Sequence, residues 1–98
     1  MKDSSNKKTD EISEFASAFG EDVILYEGLE KAFIGMSFRF GQEPIACYDF
    51  DKIIEILIED GMSEEGAVEY FDYNIIGGWV GDYTPCFLKG YEHDSFFK

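Results

Sequence analysis

The sequence has little positive charge. Eight Lys and Arg stand against 21 Asp and Glu, which gives a formal net charge of −13 at pH 7. Three of the eight cations lie in the first eight residues, so the chain from Asp10 onward holds 20 acids and 5 cations, a balance of −15. A protein that binds DNA or RNA directly needs a positive surface to displace counterions from phosphates, and an anionic membrane makes the same demand. The composition argues against both and favours a protein partner with a basic surface.

Histidine and cysteine are scarce as well. A catalytic serine or cysteine would need a histidine as its base, and the single histidine, His93, lies close to the C-terminus. Cys47 and Cys86 lie far apart inside apolar runs, which predicts small hydrophobic residues rather than a disulfide framework or zinc ligands. The carboxylate-containing turns at 49–51 and 60–64 lack the spacing of a calcium loop, and the glycines form no phosphate-binding motif. We therefore predict no catalytic residues, no metal, no cofactor and no enzymatic activity.

Long hydrophobic runs are also missing, which excludes a membrane-spanning helix, and no apolar segment follows the polar start of the chain as a secretory signal requires. We expect a cytoplasmic protein. Apolar residues are nevertheless plentiful: 45% of the chain is hydrophobic and 17% is aromatic, enough for a dense core in a single domain. We predict a disordered polar tail at residues 1–9, one domain at residues 10–90 and a C-terminal tail at residues 91–98.

Hydrophobic periodicity indicates where the helices and strands lie. Apolar residues at helical spacing predict a short helix over residues 11–19, and the alternation over 34–40 is typical of a half-buried strand. Further strands are predicted at 23–26, 45–48 and 86–88. Asp49 and Ser63 are suitable N-caps for two amphipathic helices, the first over residues 50–59 and the second ending at Gly77 and Gly78. The fold class is therefore α+β: a small antiparallel sheet packed against a two-helix hairpin, with a short N-terminal helix.

The two predicted helices form the most acidic part of the chain. Residues 49–72 hold nine acids and one cation, Lys52. Carboxylates recur every four residues, about 6 Å apart along a helix axis, and could imitate a phosphate backbone, although duplex DNA carries one charge per ~1.7 Å. The other interpretation, which the sequence favours, is an ordinary solvated helix face. The candidate partner-binding residues are Asp51, Glu55, Glu59, Glu65, Glu69 and Asp72.

Trp79 is the only tryptophan and lies between small residues. It is a candidate aromatic anchor at an interface. The other interpretation, which the sequence favours, places its ring over the core against the two helices.

Part of the chain is similar to known proteins. The segments PIACYDFDKIIEIL (44–57), GMSEE (61–65), EYFDYNIIGGWVG (69–81) and TP (84–85) resemble a family of small acidic proteins of bacteriophages and bacterial genomes, over about residues 23–88. The resemblance implies a phage-associated origin and a location in the host cytoplasm. The family has no established activity, so no site residue is carried over. Small acidic phage proteins include many inhibitors of host nucleic-acid machinery, among them anti-restriction and anti-CRISPR proteins.

These observations lead to one functional expectation and two alternatives. We expect a small acidic protein-binding module, phage-derived, that inhibits or modulates a host nucleic-acid-binding or defence protein, with DNA mimicry as one means. The first alternative is a structural or assembly protein that self-associates through its aromatic residues, with Trp79, Phe96 and Phe97 as candidates. The second is a small enzyme or metal-binding regulator that uses carboxylates.

Overall fold

The computed structural model describes the backbone of residues 2–91 and the side chains of residues 9–91. Its class is α+β, as predicted. The first helix, α1 (Lys2–Ser17), begins nine residues before the predicted start at residue 11, and its sequence contains no glycine or proline, the residues least favourable in a helix. The predicted domain boundaries stay predictions, and the predicted C-terminal tail lies outside the described residues except for Tyr91. In chain order the elements are α1 (Lys2–Ser17), a 3-10 turn (Glu30–Ala32), β1 (Phe33–Ser37), β2 (Ile45–Asp49), α2 (Phe50–Glu59), α3 (Glu64–Tyr70), a π-helical turn (Phe71–Ile75) and β3 (Cys86–Leu88).

The three strands form one sheet in the order β1-β2-β3. β1 and β2 are antiparallel and pair Met36 with Ala46, as expected for two strands joined by a short turn. β3 runs parallel to β2, because the chain returns to the sheet only after passing through α2, α3 and the π-helical turn. The sheet is therefore mixed rather than wholly antiparallel.

Two predicted strands differ from the structure. Residues 23–26 form a loop outside the sheet, where Tyr26 and its neighbours cover part of the core. The backbone N–H of Tyr26 donates to Tyr48 Oη at 2.8 Å, so its hydrogen bond goes to a side chain and not to a strand. β1 ends at Ser37, and Phe38 and Phe40 beyond it are 67% and 103% exposed. Alternating hydrophobicity alone did not show that this end of the strand lacks a covering layer.

Both predicted N-caps are confirmed. The backbone N–H of Lys52 donates to Asp49 Oδ2 at 3.0 Å, and α2 has the predicted bounds, 50–59. The N–H of Gly66 donates to Ser63 Oγ, also at 3.0 Å, and starts α3. Each cap satisfies a backbone donor that the first helical turn leaves without a partner. The acidic residues of α2 and α3 are positioned by these two caps.

The core lies between the sheet and the α2–α3 pair. Each large apolar side chain that leaves water there contributes about 1.5–3 kcal/mol to folding. Tyr48 on β2 is only 1% exposed and contacts the rings of Tyr26, Phe33 and Phe87 at centroid distances of 5.4, 5.6 and 6.5 Å. The buried cluster consists of Leu29, Ala32, Ala46, Tyr48, Ile53, Ile54, Leu57, Ala67, Phe71 and Ile75.

Candidate functional site

The acidic residues of α2 are partly neutralised within the chain. Asp51 accepts from Lys89 Nζ at 2.8 Å, and the same ammonium lies 5.5 Å from the centroid of the Phe50 ring. Glu55 lies 3.8 Å from Lys52 Nζ in an exposed pair one helical turn apart. Exposed pairs of this kind add little stability, but each removes a carboxylate from the charge that a partner would meet. Of the three candidate residues on α2, only Glu59 is exposed with no ion pair in the described part of the chain.

The other three candidate residues lie on α3 and on the π-helical turn that follows it. Glu65 and Glu69 are exposed one turn apart, and Asp72 follows three positions later on the π-helical turn. Residues at this spacing lie on one side of a helix, and each is roughly 6 Å from the next. None of the three side chains forms a hydrogen bond or an ion pair within residues 9–91. Three like charges therefore face solvent together, uncompensated.

Apolar side chains lie among these carboxylates. Glu65, Val68 and Glu69 line one shallow depression, and Glu69 also lines a second one together with Tyr73. Val68 is 36% exposed and Tyr73 is 80% exposed. We call these five residues (Glu65, Val68, Glu69, Asp72 and Tyr73) the α3 face. A charged surface with apolar contacts at its centre is suited to binding protein, because the charge orients the partner and the apolar groups are buried on contact.

Trp79 and the residue after it are also exposed. Trp79 is 70% exposed, and its neighbour Val80 is 62% exposed, so the favoured interpretation of Trp79 as a cover for the core is wrong. The aromatic ring that packs beside α2 is that of Phe71, which lies 5.0 Å from the ring of Phe50 and 5.1 Å from that of Phe87. The exposure is what the role of aromatic anchor requires.

A small pocket lies between α1 and the core. Its volume is about 200 Å³, and Leu25, Tyr26 and Tyr48 are among its lining residues. Glu30 at its edge accepts from Thr9 Oγ1 and from the backbone N–H of Gly28, both at 3.1 Å. The carboxylate thus holds α1 to the loop before the 3-10 turn.

Outside the α3 face, the residues that could act in catalysis or bind a metal are dispersed. Within the described ranges, no three Cys, His, Asp or Glu side chains lie close enough to hold a metal ion. His93, Phe96 and Phe97, which the sequence singles out, lie outside those ranges. The site that the structure presents is therefore the exposed α3 face.

Sequence reasoning missed two features of this surface. Tyr73 stands off the apolar stripe of α3, and a large aromatic residue on the polar side of an amphipathic helix was the available signal. The pairing of Lys89 with Asp51 joins residues 38 positions apart, and no local pattern indicates it.

Among the residues that the structure places, no helix has both the length and the apolar character needed to cross a bilayer. Comparison with models of protein families, with curated proteins and with solved structures finds no match to this chain.

Proposed function

We propose that this chain is a small acidic protein-binding module whose α3 face docks on a basic surface of another protein. The observation that supports the proposal is the group of three exposed, unpaired carboxylates, Glu65, Glu69 and Asp72, around the exposed side chains of Val68 and Tyr73. Long-range attraction would speed the encounter and weaken as salt shortens the Debye length to about 8 Å at physiological ionic strength. Burial of the apolar side chains would then slow dissociation.

The partner we infer is a host protein that itself binds nucleic acid or acts in defence against phage, and the chain would inhibit or modulate it in the host cytoplasm. A groove that binds phosphates is lined by Lys and Arg, which gives it the charge opposite to that of the α3 face. A carboxylate spacing of about 6 Å reproduces only part of the charge density of DNA. The proposed mimicry is accordingly local: the module occupies one stretch of the groove and keeps nucleic acid out.

Affinity capture at two salt concentrations tests the proposal. The full chain is immobilised and exposed to bacterial lysate, and retained proteins are eluted first with duplex DNA and then with salt. The test variant reverses the three carboxylates of the α3 face (Glu65→Lys, Glu69→Lys and Asp72→Lys). The control variant makes the same change in net charge at exposed acids elsewhere (Glu14→Lys, Glu21→Lys and Glu43→Lys).

We expect the wild type and the control to retain the same basic protein, and the test variant to bind it at least ~10-fold more weakly in low salt. Release by duplex DNA would support the inference that the partner binds nucleic acid. Undiminished capture by the test variant would contradict the proposed site. An equal loss in the control would show that total charge alone governs binding.

Self-association is the second candidate function, and the exposure of Trp79, Val80 and Tyr73 favours it. Apolar contact between copies is insensitive to salt, unlike docking through carboxylates. Sedimentation of the wild type and of Trp79→Ala in low and high salt distinguishes the two. A tight wild-type oligomer that persists in high salt, together with a monomeric Trp79→Ala variant, would support assembly. A wild type that is monomeric in both low and high salt would exclude it.

A further inference from the structure

The parallel pairing of β2 with β3 places the only two cysteines of the chain side by side. Cys47 on β2 is the direct register partner of Cys86 on β3. Aligned residues of neighbouring strands project to the same face of a sheet, and the strands lie about 4.8 Å apart. That spacing falls within the Cα–Cα range of disulfides, roughly 4.4–6.8 Å.

The two thiols are free and interact with each other. Both cysteines are partly exposed, so small molecules in solution have access to them. Burial raises the pKa of the Cys47 thiol to about 11, and the hydrogen bond with Cys86 and the nearby charges of Cys86 and Asp49 act in the same direction. Cys47 therefore retains its proton at neutral pH and is a poor first nucleophile.

We propose that Cys47 and Cys86 form a redox-modification site, which a low-molecular-weight disulfide converts into an intramolecular disulfide between β2 and β3. The thiolate of Cys86 attacks one sulfur of the small disulfide, whose S–S bond breaks and releases one small thiol. Cys47 loses its proton to water and attacks the Cys86 sulfur of the mixed disulfide, releasing the second small thiol. Two protein thiols are oxidised and one small disulfide is reduced to two thiols.

The backbone can accommodate the bond. Cβ atoms linked by a disulfide lie about 3.5–4.5 Å apart, slightly closer than aligned Cβ atoms of neighbouring strands. β3 is a strand of only three residues at the edge of the sheet, so it can shift toward β2 without displacing another strand. The bond would enclose residues 47–86, including α2, α3 and the α3 face.

The consequence is a change in stability with redox state. A disulfide that closes a loop of about 40 residues restricts the unfolded chain, and we expect it to raise the melting temperature by roughly 10–25 °C. Oxidation would stabilise the α3 face together with the strands that support it. After reduction, β3 would be attached to β2 only through the backbone pairing of its three residues.

Treatment of the full chain with graded ratios of oxidised to reduced glutathione tests the inference. Intact mass spectrometry and thiol alkylation follow the products, and thermal unfolding is recorded for each. In the wild type we expect the loss of two hydrogens, no alkylation and the higher melting temperature. In Cys47→Ser the reaction should stop at a glutathione adduct on Cys86. The double variant Cys47→Ser, Cys86→Ser should have the same melting temperature at every ratio of oxidised to reduced glutathione.

Three outcomes would overturn the proposal. The wild type could keep two free thiols in excess oxidised glutathione, stop at an adduct, or form a disulfide-linked dimer. The Cys47→Ser variant is first melted in reductant, which shows that it is folded before its reaction with glutathione is measured. Because no partner protein is involved, failure here leaves the docking proposal untouched, and the reverse also holds.

Discussion

Tyr26 and Tyr48 are in contact, and replacing each by phenylalanine is expected to change the free energy of unfolding in opposite directions. Tyr48 Oη accepts from the backbone N–H of Tyr26 at 2.8 Å, so Tyr48→Phe leaves that partly buried donor without its acceptor. Loss of one partner from a buried hydrogen bond costs about 1–3 kcal/mol, and partial solvent access at Tyr26 favours the lower half of that range. We expect the free energy of unfolding to fall by ~1–2 kcal/mol and the melting temperature by ~5–15 °C.

Tyr26→Phe should act in the other direction. The hydroxyl of Tyr26 is buried and finds no hydrogen-bond partner among the described residues, and its burial raises the pKa of that group. Removing an unsatisfied polar atom while keeping the ring is expected to stabilise the fold by ~0–1 kcal/mol. The two rings are neighbours at 5.4 Å, so the variants differ mainly in which oxygen is lost.

Urea unfolding followed by far-UV circular dichroism measures both effects, with Tyr73→Phe as the control because Tyr73 is 80% exposed. The control should match the wild type, and the denaturant slope should be the same for all four proteins. If Tyr26→Phe were as destabilising as Tyr48→Phe, the assignment of one satisfied and one unsatisfied hydroxyl would be wrong.

Three further predictions concern caps, pH and the exposed tryptophan. Asp49→Ala and Ser63→Ala should each lower the free energy of unfolding by about 1 kcal/mol in urea titrations, and glycine at either position should cost less. The folded-state pKa of Cys47 is raised from 9.0 to about 11 and that of Tyr48 is raised from 10.0, so the fold holds these protons more tightly than the unfolded chain. The contribution of Cys47 is complete below about pH 9 and is lost as the pH rises to about 11, and the contribution of Tyr48 declines above pH 10; melting curves should show this decline, weaker in Cys47→Ser, and a flat profile would contradict it. Trp79→Ala should change the free energy of unfolding by less than ~0.5 kcal/mol, and a larger loss would show that the ring supports the fold.

Local signals predicted the helices best. A capping residue followed by an amphipathic stripe fixes where a helix begins, and Asp49 and Ser63 carry that information within a few residues of sequence. Strands were predicted less well, because Phe38 and Phe40 continue the alternation beyond the point where β1 ends.

The candidate site was predictable only in part. Glu65, Glu69 and Asp72 could be placed on one helix side from their spacing, and the structure leaves them exposed. The pairing of Asp51 with Lys89 and the approach of Cys47 to Cys86 depend on how β3 returns to the sheet, which no single segment encodes. Trp79 was misplaced because hydrophobic character indicates a preference for burial and not the space available for it.

The late arrival of β3 has a consequence for synthesis of the chain. The β1–β2 hairpin involves neighbouring residues and can form early, whereas β2 gains its second neighbour only when residues 86–88 are present. Until then one edge of β2 has unpaired backbone groups, the kind of surface that recruits strands from other chains. A nascent chain that ends before Leu88 would be prone to aggregate, and the last strand thus covers this edge of β2 as well as adding to its hydrogen bonding.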